Sequence, residues 1–352
     1  MSNTIVSVLT PALLAFIIGV LITPILTRFL YKYKVWKKTG GKTAIGGHDA
    51  TEFNRLKGEE ETATPRMGGI VVWGSVILTL GGTTILAAMF PDTFFSQLNF
   101  LSRSQTFIPV AALLVGALLG LVNDVYDVTH HGKGLRLSRR LAIISVLAAG
   151  LGWWFYDKLQ VTSVNIPYDG SIELGILIIP FFVLLTLMLY ASGVIDGIDG
   201  LSGGVFASVF GAYAGIALVQ DQIGLATFCA TVVGAILAFL WFNIPPARFW
   251  MTETGTMALT LSLGVVVFMT DALGDGHGIS LMFIVALPLL ATVGSNILQL
   301  LYRKATGNKL FRIAPLHHHF EAIGWPSEKV VMRYWIISMI CAVIGVIIAT
   351  TA

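Results

Sequence analysis

Charge is scarce in this chain. Only 12% of its 352 residues are Asp, Glu, Lys or Arg, 55% are hydrophobic, and the mean hydropathy is +0.81. Soluble domains carry about 25% charged residues, so the composition excludes an ordinary soluble enzyme and points to a polytopic membrane protein. Cysteine is nearly absent too. The two present, Cys229 and Cys341, both fall inside apolar runs. There they read as small hydrophobes and imply neither a disulfide nor a zinc framework. The first apolar run, Ile5 to Leu30, has no basic segment before it and no small-residue cleavage site. It predicts a first membrane helix, not a removed signal peptide. The lipid bilayer is an expected partner and nucleic acid is not.

Apolar runs lie near 5–30, 68–90, 107–123, 138–156, 172–192, 201–219, 223–242, 254–270, 279–301 and 331–350. At roughly 20 residues per crossing they predict an all-α fold of about ten transmembrane helices, a single integral membrane domain over 1–352. Pro288 predicts a bend in the ninth. Between the fourth and fifth runs, Val161 to Ile172 alternates around Asp169-Gly170. That predicts a small β-hairpin outside the membrane.

Assigning loops alternately to two sides separates the basic residues. Arg103 and Lys158 fall on the side of the termini; all the rest of the 22 Lys and Arg fall on the other, in segments 28–66, 126–140, 243–253 and 302–333. The positive-inside rule makes that second side cytoplasmic, puts both termini outside and requires an even number of spans. Asn123, Asp124, Asp127, Asp196, Asp199, Asn243, Glu253 and a histidine run then collect on the cytoplasmic face. Transporters place such groups near the membrane midplane. A site that meets a soluble substrate at the cytoplasmic face fits better.

Three of the seven histidines, His317, His318 and His319, sit side by side in Pro315-Leu-His-His-His-Phe-Glu321, closed by Gly324-Trp-Pro326. Imidazole can donate, accept or ligate metal near neutrality. The run reads as a solvated loop, a metal box or a phosphate-handling site. Asn123-Asp124-Val-Tyr-Asp127 ends the third span and is followed by Lys133, Arg136, Arg139 and Arg140. These are either a solvated helix end with basic anchors or a carboxylate and cations facing phosphate. In Asp196-Gly-Ile-Asp199-Gly200, acids three apart share a face and the glycines permit a tight bend. Such acids suit magnesium, which takes oxygen ligands and shares them with substrate phosphates. Asn243 to Thr256 opens the eighth span. Its threonines could cap that helix, or the helix start, with Gly255 nearby, could bind phosphate while Glu253 holds metal. Thr64-Pro-Arg66-Met-Gly-Gly69 opens the second span and is adequately explained by helix-start and packing residues. Lys37 to Glu61 reads as a polar, solvated stretch.

With these motifs in order, the chain from about Thr64 onward resembles the phospho-N-acetylmuramoyl-pentapeptide transferases, a branch of the polyprenyl-phosphate N-acetylhexosamine-1-phosphate transferases. The most specific part is Pro315 to Pro326 followed by Val331-Met-Arg333-Tyr-Trp335-Ile-Ile-Ser338. The resemblance implies transfer of phospho-MurNAc-pentapeptide from UDP-MurNAc-pentapeptide to undecaprenyl phosphate at the bacterial inner membrane, giving lipid I and UMP, with magnesium and a homodimer. It maps catalytic roles onto Asn123, Asp124, Asp196, Asp199, His317, His318 and His319. Metal falls to Glu253 with Asp196 or Asp124, and substrate binding to Lys133, Arg139, Asn243 and Gly255. Several positions depart from the family pattern: Asn123 and Glu253 stand for Asp, Asp127 for Lys, Arg66 for Thr, and Tyr190 and Gly193 for Asn. Two rival expectations follow, a related transferase for another UDP-sugar and a silent paralogue that binds without turnover.

Overall fold

All ten apolar runs form helix. The computed structural model describes residues 2–38, 54, 60–130, 134–272 and 276–352. In chain order the helices are α1 (Ser2–Lys32), α2 (Gly69–Met89), α3 (Phe107–Thr129), α4 (Leu137–Lys158), α5 (Ile178–Ser192), α6 (Leu201–Val219), α7 (Ile223–Asn243), α8 (Thr252–Ala272), α9 (Gly278–Val285), α10 (Leu287–Thr306), α11 (Leu316–Ala322) and α12 (Ser327–Thr351). Among the described residues eight stretches are long and apolar enough to cross a membrane, and nine if the bent pair α9–α10 is one span. The remaining run is α4, a 22-residue helix with Arg139 and Arg140 near one end and Asp157 and Lys158 at the other. The chain is a multi-pass membrane protein.

The break between α9 and α10 is 71°. It falls at Ala286, just before Pro288, whose ring removes a helix hydrogen bond. The hairpin forms as β1 (Ser163–Ile166) and β2 (Gly170–Glu173), antiparallel with Ile166 opposite Gly170. Its turn is one step earlier than the sequence suggested. Pro167 starts it, Tyr168 takes φ 65° and Gly170 φ 80°, so Pro-Tyr-Asp makes the loop and the glycine closes it.

Helix α8 is the axis of the bundle: 89% of its apolar stretch is buried, against 22% for α1. It carries threonine, serine and glycine where neighbours approach, and small residues let membrane helices pack backbone to backbone. Gly120 of α3 faces the carbonyl of Glu253, and Gly69 of α2 faces Gly255, so closely that neither has room for a Cβ. Outward-facing residues such as Leu21, Ile25, Val146 and Leu184 stay exposed, as expected where lipid is the solvent. The consequence is positional. The first turn of α8 is clamped between α2, α3 and the loops at one end of the bundle.

Candidate active site

The first turn of any helix leaves backbone N–H groups without partners inside the helix. In α8 two aspartates from elsewhere take them. Asp124, fully buried on α3, accepts through Oδ2 from Thr252 Oγ1 at 2.5 Å, Thr254 Oγ1 at 2.6 Å and the Thr254 N–H at 2.9 Å. Asp196 accepts through Oδ2 from the Thr252 N–H at 2.8 Å and through Oδ1 from Ser202 Oγ at 2.7 Å. Negative charge is also favoured there by the helix dipole. Glu253, between the two threonines, pairs with Arg140 of α4. Three carboxylates thus surround one helix start.

Among the described residues two cations face them. Besides Arg140 there is Arg66, 3.0 Å from Asp127 through Nη1, whose charge also acts on Asp124, Asp196 and Glu253. Partial burial pushes the Asp196 carboxyl above the usual carboxylate range. The hydrogen bonds from Ser202 and Thr252 and the charge of Arg66 oppose that rise, and the charge of Asp124 adds to it.

The segment Thr64 to Gly69 is part of this site, not only a helix start. The Met67 N–H donates to Thr252 Oγ1, Gly68 N–H to the Trp250 carbonyl, and Trp250 N–H to the Pro65 carbonyl. Met67 and Thr252 hold φ of 67° and 54°, left-handed geometry that costs side-chain-bearing residues about 1–2 kcal/mol each. The strap is locked onto α8 despite that cost.

The histidine loop reaches the site through α11. His317 and His318 are buried, with ring centroids 4.4 Å apart. A Cβ on Gly197 would lie 2.6 Å from His318 Nε2 and 2.7 Å from His317 Nε2, so both rings meet the Asp196-Gly197 turn. His318 Nδ1 lies 2.6 Å from Glu321 Oε2, and Ser327 Oγ donates to Glu321 Oε1 at 2.6 Å. Glu321 therefore orients His318, a role the sequence reading left unassigned. Its signal was the i, i+3 spacing from His318 on one helix.

Several expected site residues are placed differently. Asp199 spends both oxygens inside the protein, on the Ala247 N–H and Trp250 Nε1, each at 3.0 Å. Asn243 bridges the Gly200 N–H and the Phe249 carbonyl, each at 2.9 Å. These two shape the loop before α8. Gly255 is a packing contact against Met251 and α2. His319 Nδ1 accepts from the Arg312 N–H at 3.2 Å and holds the preceding loop. Asn123 Oδ1 accepts from the Leu135 N–H at 3.0 Å and fastens the start of α4. Arg139 is exposed, and its neighbour Arg140 is the arginine that reaches the carboxylates. Lys133 lies outside the described residues. Lys37 and Glu61, read as solvated, are buried and paired at 3.3 Å.

A family model, glycosyl transferase family 4, matches residues 106–271, from α3 through α8. Over 348 residues the chain is 32% identical to the phospho-N-acetylmuramoyl-pentapeptide-transferase of Anoxybacillus flavithermus, and to that of Bacillus mycoides, covering 97% of each chain. The protein of the same name from a Geobacillus species is 32% identical over 345 residues, 96% of each. The chain belongs to the phospho-N-acetylmuramoyl-pentapeptide-transferase family. The matched region spans Asp124, Asp196 and Glu253, and the full-length relatives extend the match through the histidine loop.

Among the described residues no three His, Cys, Asp or Glu side chains form a ready metal cluster. Asp124 Oδ1 is nevertheless buried with no hydrogen-bond partner, and Glu253 beside it pairs with Arg140. An orphaned carboxylate oxygen and a nearby carboxylate fit a hard cation that takes the rest of its ligands from substrate and water. They do not fit an all-protein cage.

Proposed function

We propose that this protein transfers phospho-N-acetylmuramoyl-pentapeptide from its UDP-linked donor to undecaprenyl phosphate, releasing UMP and forming lipid I. The observation that carries the reading is the first turn of α8, where Asp124, Asp196 and Glu253 meet Arg66 and Arg140 beside a buried histidine pair. Family membership supports the choice of sugar and peptide.

An oxygen of the lipid phosphate attacks the sugar-linked phosphorus, the P–O bond to UMP breaks, and charge builds on the transferring phosphoryl oxygens and the leaving phosphate. By analogy with phosphoserine the acceptor phosphate has a second pKa near 6 and is largely dianionic at neutral pH. A strong general base is therefore dispensable, which accommodates an asparagine at 123. Positioning and charge neutralisation remain for the protein to supply. Arg66 and Arg140 offset the phosphate charge. His317 and His318 are positioned beside the Asp196 turn to donate to phosphate or leaving-group oxygens. Bound magnesium would neutralise the diphosphate, held by Asp124 and Glu253 with Asp196 adjoining.

With this reading goes the orientation that the basic residues imply. The cleft opens to the cytoplasm from the bacterial plasma membrane, both termini lie outside, and the chain works as a homodimer. The test is UMP release by purified protein given undecaprenyl phosphate, magnesium and a panel of UDP-sugars. Release confined to UDP-MurNAc-pentapeptide supports the reading, and no release with any sugar ends it. Release with a different sugar would favour a second reading. Tyr190 beside Arg140 and Glu253, and Gly193 packed closely against Thr256 of α8, give that alternative its physical basis.

A further inference from the structure

The ion pair Arg66–Asp127 joins two residues 61 positions apart, and both are largely buried, with side-chain exposures of 14% and 9%. A buried pair is weak evidence of stabilisation, because desolvating two charges can cancel their attraction. Its location suggests another purpose. Arg66 sits on the strap that hydrogen-bonds Thr252 of α8 through Met67 and the Trp250 carbonyl just before α8 through Gly68, and its own N–H donates to the Val35 carbonyl at 2.8 Å. The guanidinium carries five N–H donors in a fixed fork. The contact with Asp127 engages Nη1, and Nε is buried with no hydrogen-bond partner. Its charge acts on all three carboxylates at the α8 start.

We infer that Arg66 is a phosphate-binding residue of this site and that Asp127 is the residue that holds it in place. The inference rests on the phosphotransfer reading above and names the cation that receives the substrate's phosphate. A dianion entering a cleft of three carboxylates needs a cation already fixed there, and arginine meets phosphate with two parallel N–H donors. Asp127 restrains the fork without occupying it. The phosphate could belong to the nucleotide or to the lipid, and the chemistry is shared.

Two paired variants separate this role from a purely structural ion pair. Arg66→Asp with Asp127→Arg reverses the pair and keeps its attraction; Arg66→Gln with Asp127→Asn removes both charges together. Binding of UMP and of a polyprenyl phosphate is measured by calorimetry on the full-length purified protein, with the thermal midpoint recorded alongside. We expect the reversed pair to keep the midpoint while its Kd for one of the two probes rises by about tenfold or more. The probe affected identifies the source of the phosphate. Wild-type affinity for both probes in the reversed pair would reduce Arg66 to a structural partner and overturn the inference. If the reversed pair does not fold, the neutral pair is read by the same criterion. Wild-type protein that binds these probes but releases no UMP from any UDP-sugar would sink the transferase reading and leave this binding test standing.

Discussion

The two ends of α8 use the same device and differ in what surrounds it. At the far end Asp271 accepts from the Ile279 N–H at 3.2 Å and so caps α9, much as Asp124 and Asp196 cap α8. Around Asp271, Tyr213 donates to the Gly278 carbonyl at 2.8 Å and Gly278 is pressed against Thr270. Among the described residues no salt bridge reaches Asp271. At the near end two arginines face the carboxylates and a histidine pair lies alongside. A buried aspartate on a helix start is thus a folding element in this bundle. The added cations and imidazoles are what distinguish the end proposed for chemistry.

That comparison can be broken most severely at Asp124. Asp124→Asn keeps an acceptor for Thr252 and Thr254 but removes the charge and one carboxylate oxygen. UMP release should fall on the order of 10³-fold with little change in thermal midpoint. Near-normal release would make Asp124 another Asp271. Asp196→Asn should cost turnover less, on the order of 10²-fold, and should not destabilise the protein. The sign follows from its raised pKa. The folded state holds the Asp196 proton more tightly than the unfolded chain, so stability falls as pH rises from the unfolded value through the folded one. Asparagine removes that loss. A midpoint for Asp196→Asn that drops relative to wild type at neutral pH would contradict this account.

A smaller effect is expected at Glu321, which touches His318 and not the carboxylates. Glu321→Gln retains an acceptor for Ser327 while weakening its hold on the imidazolium form of His318. Turnover should fall roughly tenfold, and the alkaline limb of its pH profile should move to lower pH, because a carboxylate partner favours the protonated histidine that donates. A uniform loss with an unmoved profile would make Glu321 merely structural.

Much of this was legible in the sequence for a physical reason. Spans announce themselves because lipid tolerates no charge, and acids at helix ends stand out against that background. Asp124, Asp196 and Glu253 stand out that way. Orientation around a helix was not legible from composition. Arg139 and Arg140 sit about 100° apart around α4, and only one faces inward. Pairings between distant segments were equally hidden. Arg140 meets Glu253 across 113 positions, and Arg66 meets Asp127 only after α2 and α3 pack on α8. Asp199 and Asn243 looked chemical because they are polar and sit beside glycines. Their hydrogen-bonding capacity turned out to be spent on the loop before α8, which a one-dimensional reading cannot anticipate.

The smallest effect on chemistry should come from Asp271, and it is the control on which the comparison depends. Asp271→Leu removes the acceptor for the Ile279 N–H and leaves that donor buried, which should cost on the order of 1–3 kcal/mol of stability. Turnover per folded molecule should stay within about twofold of wild type, because the carboxylates, arginines and histidines of the proposed transfer lie at the other end. The two quantities must be measured on the same preparation, as thermal midpoint and UMP release normalised to folded protein. A lowered midpoint with intact turnover confirms that the two ends of α8 share a folding device and differ in chemistry. Lost turnover with an unchanged midpoint would mean that Asp271 is coupled to the cleft along α8, and the division between a structural end and a chemical end would fail.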